Sequence, residues 1–168
     1  MTTPTPVIER DAAEITQWHR ELLRYVHRLT GDPDMAEDIV QETMLRYLRT
    51  DMDQPMAHAR AWLYRVATNL VRDHARRRDM MRRRPIPIDA DDPRTPEQDM
   101  ERTETVAQVR AALERLSARD RELLMLRESG FRHKEIAEIV DVSASSVSVL
   151  VFRALQRFRA AYLQEVPQ

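Results

Sequence analysis

The chain has no cysteine. That excludes disulfides, Cys-ligated zinc and thiol catalysis, and it fits a reducing compartment. Only two glycines and three phenylalanines occur in its 168 residues, and β-branched runs are short. Long stretches of Ala, Leu, Arg and Glu favour helix instead. No apolar run approaches the roughly 20 residues of a membrane span. The opening segment MTTPTPVIERD lacks the basic, apolar character of an export signal, so a cytoplasmic protein is expected. Lysine is nearly missing too: Lys134 is the single one, and every other cation is arginine. Arginine suits phosphate and base-edge contacts, although a GC-rich genome produces the same bias. The histidines (His19, His27, His58, His74 and His133) are scattered without metal-ligand spacing, and no paired carboxylates flank a nucleophile. No metal, cofactor or catalytic residue is expected.

What is present is charge, a third of all residues, with a formal net of −1. The near-neutral sum hides segregation along the chain. Residues 60–84 hold nine arginines against Asp73 and Asp79. Residues 85–104 then carry seven acids and Pro85, Pro87, Pro93 and Pro96. Proline fixes φ and removes a donor, so the first dozen of these residues cannot form a regular helix. The expected architecture is therefore all-α: two small helical domains, 10–84 and 105–166, joined by an acidic, proline-containing linker over 85–104. An acidic tether next to a basic helix has the means to fold over it as an electrostatic mask. Plain solvation of both segments is the alternative.

Apolar spacing gives the helices. Ile15, Trp18, Leu22, Leu23, Tyr25, Val26 and Leu29 mark one from about Ala12 to Leu29, broken at Gly31-Asp32-Pro33. Met35, Ala36, Ile39, Val40, Thr43, Met44, Tyr47 and Leu48 mark a second, whose outer face is Glu37, Asp38, Gln41 and Glu42. Trp62, Leu63, Val66, Ala67, Leu70 and Val71 mark a third, from about Ala57 to Arg82. Its polar face carries Arg60, Arg65, Asn69, Arg72, Asp73, Arg76 and Arg77. An acidic face on one helix and a basic face on the next point to two partners of opposite charge.

Residues 132–159 read as a helix-turn-helix. Ile136, Ala137 and Val140 line a short helix, Asp141-Val142-Ser143 turns, and Val147, Leu150, Val151 and Ala154 line the next, with Ser143 as its N-cap. So short a turn suits a helix placed in a DNA major groove, though an ordinary helical hairpin shares the spacing.

Three blocks, AEDIVQETMLRYLR (36–49), ARAWLYRVATNLVRDHARRR (59–78) and Leu113–Arg159, together resemble bacterial sigma-70-type initiation factors of the extracytoplasmic-function (ECF) group. The resemblance implies a promoter-specificity subunit that binds core RNA polymerase and promoter DNA and helps open the duplex. Asp38, Gln41, Glu42 and Leu45 match positions that dock on the clamp helices of the polymerase β′ subunit. Asn69 matches the part that reads an opened −10 element, where an amide both donates and accepts, with Arg60, Arg65, Arg72, Arg76 and Arg77 toward phosphates. Trp62 is read as core rather than a stacking platform. The loop 50–57 resembles the segment lining a flipped-base pocket. The second domain matches the part that binds the −35 duplex through Ser143, Ser145, Ser146, Ser148, Val149 and Arg153, and that seats the polymerase flap on helices bearing Val109, Leu113, Leu116, Leu123, Leu124 and Leu126.

Here the chain departs from the family. The recognition helix commonly reads G-T-V-K-S-R-L-x-R-A, whereas residues 145–154 read SSVSVLVFRA. Ser148 and Leu150 replace two cations and only Arg153 is kept. Each lost phosphate contact lowers the salt dependence by about one unit. Val149 and Phe152 have two readings, toward thymine methyls or toward a protein partner such as an inhibitory anti-sigma factor. The competing functions are a polymerase-independent helix-turn-helix regulator and a nucleic-acid enzyme. Residues 1–84 show no ligand-pocket signature for the first, and no catalytic constellation supports the second. The chain ends at Gln168, so regulation by a further C-terminal domain is not expected.

Overall fold

The computed structural model describes residues 8–50, 56–78 and 96–165. Among them lie seven helices and no strand: α1 (Ile8–Thr30), α2 (Pro33–Arg49), α3 (Met56–Arg78), α4 (Pro96–Glu114), α5 (Ala118–Glu128), α6 (His133–Val140) and α7 (Ala144–Glu165). The first three pack on one another, and α7 gathers α4, α5 and α6 around itself.

The breaks between helices follow from local chemistry. Gly31 takes a positive φ of 66° after α1, and its N–H donates to His27 O at 2.8 Å. Asp32 then caps α2, accepting from Met35 N–H at 3.2 Å, with Pro33 at the first helical position, where its missing N–H costs nothing. Ser117 caps α5 in the same way, through Asp120 N–H at 3.1 Å. Gly130, at φ 84°, closes α5 and lets Phe131 N–H reach back to Leu126 O at 3.2 Å, the six-to-one bond of a Schellman end. Glu135 caps α6 from within, accepting from Arg132 N–H at 2.7 Å.

The turn of the helix-turn-helix is built on Asp141, the one non-glycine residue at positive φ among those described (58°). Aspartate tolerates this left-handed region better than most residues. It allows Val142 N–H to bond Ala137 O at 3.0 Å. Ser143 stands just before α7. Its backbone oxygen accepts from Ser146 N–H at 2.9 Å, while its hydroxyl lies 2.6 Å from Ser146 Oγ and 3.1 Å from Ser145 Oγ.

Trp18, Leu22, Tyr25, Val26, Ile39, Val40, Leu63 and Ala67 bury the core of the first three helices. Leu123, Leu126, Ile136, Ile139, Val147 and Val151 bury that of the helix-turn-helix, and the two cores are continuous through Tyr64 and Phe131. Leu113 and Leu116 form a smaller cluster with Val109, Leu124 and Phe158. The buried hydroxyls of Tyr25 and Thr68 are paired. Thr68 Oγ1 donates to Tyr64 O at 2.7 Å, which leaves it to accept from Tyr25 Oη at 2.8 Å. Burial of the Tyr25 and Tyr64 phenols raises both pKa values.

Two expectations change. The linker placed over 85–104 is overlapped by α4, which begins at Pro96. Proline is well suited to a first helical position. Residues 85–95, and with them most of the tether read as a mask, lie outside the described residues, as does the 51–55 part of the loop after α2. Leu48, counted in the apolar stripe of α2, is 69% exposed. It sits about 100° beyond Tyr47 around the helix, past the edge of the buried stripe.

Candidate nucleic-acid and polymerase interface

On α2 the buried side is Ala36, Ile39, Val40 and Thr43. Opposite it, Asp38, Gln41, Glu42 and Leu45 are all exposed, so the four residues predicted to meet a partner share one free face. Arg46 Nε donates to Glu42 at 2.8 Å on that face. Exposed Leu48 extends it, giving an apolar pair, Leu45 and Leu48, beside the carboxylates.

On α3 the predicted basic face divides. Arg65, Asn69, Arg76 and Arg77 are exposed, and Arg76 is within 3.6 Å of Asp73. Arg60 and Arg72 turn instead toward the C-terminal domain. Arg72 grips Glu122 of α5 with Nε at 3.1 and 3.2 Å and Nη2 at 2.6 Å, a forked pair in which the Glu122 side chain is only 5% exposed. The hydrogen bonds to Glu122, the main cause, hold the Arg72 guanidinium still more firmly protonated than usual, against the opposing effect of burial. Arg60 donates to Glu21 Oε2 at 3.0 and 3.2 Å and to Ser129 O at 3.0 Å. Its guanidinium lies 4.3 Å from the Phe131 ring centre. Burial pushes the Glu21 carboxyl up, but hydrogen bonds from Gln17 and Arg60 and the charges of Arg60 and Arg24 outweigh it and leave the pKa lowered. Trp62 is half-buried and packs against the core with Tyr47, ring centres 6.2 Å apart, in keeping with its core reading.

On α7, Val147, Val151, Ala154 and Ala161 face inward. Ser143, Ser145, Ser146, Ser148, Val149 and Arg153 are exposed together at the start of the helix. Leu150 is half-buried against the core. Phe152 (61%), Leu155 (48%) and Leu163 (62%) prolong the open side as an apolar stripe. Sequence reasoning had named Phe152 but not Leu155 or Leu163. It also missed Glu21, Glu122 and Phe131, which hold the two basic side chains. For Glu122 a signal existed: it lies one turn before the buried Leu126, on a side of α5 where an acid needs a partner.

This arrangement of domains and faces defines a class. The sigma-70 region 2 profile matches residues 15–80 and the sigma-70 region 4 profile matches residues 107–158. The chain belongs to the sigma-70 family of transcription initiation factors, in its ECF group. It is 31% identical to the ECF RNA polymerase sigma factor SigE of Mycolicibacterium smegmatis, over 87% of this chain and 59% of that protein. It is 33% identical to the ECF RNA polymerase sigma factor EcfG of Rhodopseudomonas palustris, over 79% of this chain and 74% of that one. The fold matches a chain in the complex of the sigma factor RpoE with the anti-sigma factor NepR from Bartonella quintana, at TM-score 0.69 and 23% identity, covering 91% of this chain and 96% of that chain. No helix among the described residues is long and apolar enough to cross a membrane.

Proposed function

We propose that this chain is the promoter-specificity subunit of a bacterial RNA polymerase, a cytoplasmic binding protein and not an enzyme. The observation that carries the reading is the pair of family matches, region 2 then region 4 in one chain. The exposed residues of α2, α3 and α7 support it, with Arg60 and Arg72 as exceptions, since both are half-buried and bound to Glu21 and Glu122. The α2 face of Asp38, Gln41, Glu42 and Leu45 docks on the clamp helices, where charge sets steering and register. Asn69 reads a base of the opened −10 strand, and Arg60, Arg65, Arg72, Arg76 and Arg77 contact its phosphates. The start of α7, with Ser143, Ser145, Ser146, Ser148, Val149 and Arg153, enters the −35 major groove. Val109, Leu113, Leu116 and Leu124 lie in the region that meets the flap. An anti-sigma factor holds the chain inactive, and the stripe Val149, Phe152, Leu155 and Leu163 is open to such a protein. A sigma factor bound to an anti-sigma factor is what the Bartonella quintana structure contains.

The test is assembly with core RNA polymerase on a sizing column at moderate salt. The parent chain co-elutes. The variant Asp38→Arg/Glu42→Arg keeps its fold, because both residues are exposed, and loses assembly at least tenfold, since like charges across an interface cost several kcal/mol. Undiminished co-elution of the variant removes the α2 assignment. Absence of co-elution by the parent removes the function.

A further inference from the structure

We infer that the cavity between α1, α3 and the end of α5 is a binding site for a small molecule that carries a dianionic phosphate, gripped by Arg24 and Arg28. The inference does not rest on the role in transcription proposed above.

The cavity has a volume of about 290 Å³. That is the lower end of the range for ligand pockets, roughly 300–1,000 Å³, and it suits a metabolite. Its floor is Tyr25, Tyr64 and Met125, and its walls bring together Arg24, Arg28, Arg60, Glu21 and Glu128.

These five charges are not equivalent. Arg60 and Glu21 hold each other at 3.0 Å, and Arg60 is fixed further by Ser129 O. That pair is part of the wall, and it also covers the carbonyl that the end of α5 would otherwise turn on an anion. Arg28 is paired with Glu128 at 3.0 Å, but the Glu128 side chain is 61% exposed. An ion pair with so open a partner contributes little, and Glu128 is free to swing into water. Arg24 is exposed and makes no hydrogen bond or ion pair among the described residues. Its charge is felt by Glu21, one turn earlier. Arg24 and Arg28 stand four residues apart on α1, on one face and about 6 Å apart along the axis. Two guanidiniums so placed have the donors to share the oxygens of one terminal phosphate.

Charge sets the class of ligand. Glu21 and Arg60 neutralise each other. With Glu128 turned out, Arg24 and Arg28 leave two unmatched positive charges. A phosphate monoester carries close to two negative charges near neutrality. A carboxylate or a phosphodiester carries one, and leaves a guanidinium without a counter-charge. The floor of Tyr64 and Met125 offers aromatic and apolar edges to the body that bears the phosphate.

The test is calorimetric titration of the full chain, in a phosphate-free buffer, with AMP, ribose 5-phosphate, inorganic phosphate and adenosine. Binding of the phosphates at one site, with none of adenosine, is expected. Esters that bind more tightly than inorganic phosphate identify the ligand as a phosphorylated metabolite; equal affinities identify it as free phosphate. Arg24→Gln is expected to weaken binding about tenfold or more, the scale of a lost charge-assisted hydrogen bond, while melting like the parent without ligand. Glu128→Gln removes the competing carboxylate and is expected to tighten binding about threefold, a gain that misfolding does not produce. Arg20→Gln, exposed one turn earlier on α1 and outside the cavity lining, is the control and leaves the affinity unchanged.

No binding of any of the three phosphates overturns the site, and so does weaker binding in Glu128→Gln. Equal weakening by Arg24→Gln and Arg20→Gln overturns it in favour of a general attraction of anions to α1. Tighter binding of a short single-stranded oligonucleotide without terminal phosphates than of AMP overturns it in favour of a nucleic-acid surface.

Discussion

The two positions where this chain departs from its family's recognition helix, Ser148 and Leu150, have different surroundings and should respond differently to restored charge. Ser148 is exposed, so Ser148→Lys adds a cation to the face assigned to the −35 duplex without disturbing packing. One added phosphate contact steepens the salt slope by about 0.9. Between 50 and 200 mM salt the variant should therefore lose about 3.5-fold more affinity than the parent, starting from a tighter value at the low end. Leu150 is half-buried against the core. Leu150→Arg forfeits roughly half the burial of a leucine, about 1 kcal/mol, and for a chain of this size that lowers Tm by about 2–4 °C. The assay is duplex binding by fluorescence anisotropy across a salt series, paired with a thermal melt of each single variant. A Ser148→Lys variant with unchanged affinity and slope would mean that the start of α7 is not the DNA-facing element. A Leu150→Arg variant with an unchanged melt and a steeper slope would mean that Leu150 faces the groove after all.

Other outcomes follow from the same geometry. Asn69→Ala should melt like the parent, because Asn69 is exposed, and still assemble with core polymerase, yet lose promoter opening measured by permanganate reactivity; normal opening would sink the base-contact assignment. Tyr25→Phe should cost about 1 kcal/mol in denaturant unfolding, since Thr68 keeps its bond to Tyr64 O and only the Tyr25 hydroxyl bond is lost; a loss several times larger would mean that the packing had changed. Because the folded-state pKa of Glu21 is lowered, its ion pair with Arg60 stabilises the chain fully above the ordinary glutamate value of about 4.3. That contribution fades as pH falls through the lower folded value. The Tm advantage of the parent over Glu21→Gln should be flat near neutrality and shrink only under acid; an advantage that grew on acidification would contradict the pairing.

Helix positions and buried faces were legible from apolar spacing because each helix must hide one stripe, whatever it packs against. Leu22, Val26, Ile39, Leu63, Ile136 and Val147 are buried as that pattern requires. The free faces of α2 and α7 were legible for the complementary reason: polar or small residues opposite a buried stripe have nowhere to go but outward. What spacing does not encode is which helix of a distant segment lies against a polar face. Arg60 and Arg72 read as solvent-facing because their helix gives no sign of Ser129 or Glu122, which arrive 69 and 50 residues further along. The start of α4 was misjudged because prolines and acids read as a tether. At the first turn of a helix those residue types are equally at home.

Start-site mapping tests the central claim most directly. Core RNA polymerase is combined with the chain, transcribes fragmented genomic DNA from the source organism in vitro, and the 5′ ends of the transcripts are sequenced. If the chain is a promoter-specificity subunit, starts appear only when it is added. They should lie downstream of a shared pair of short elements, one of which loses its effect in Asn69→Ala. Starts that are identical with and without the chain, or that share no upstream elements, would contradict the account.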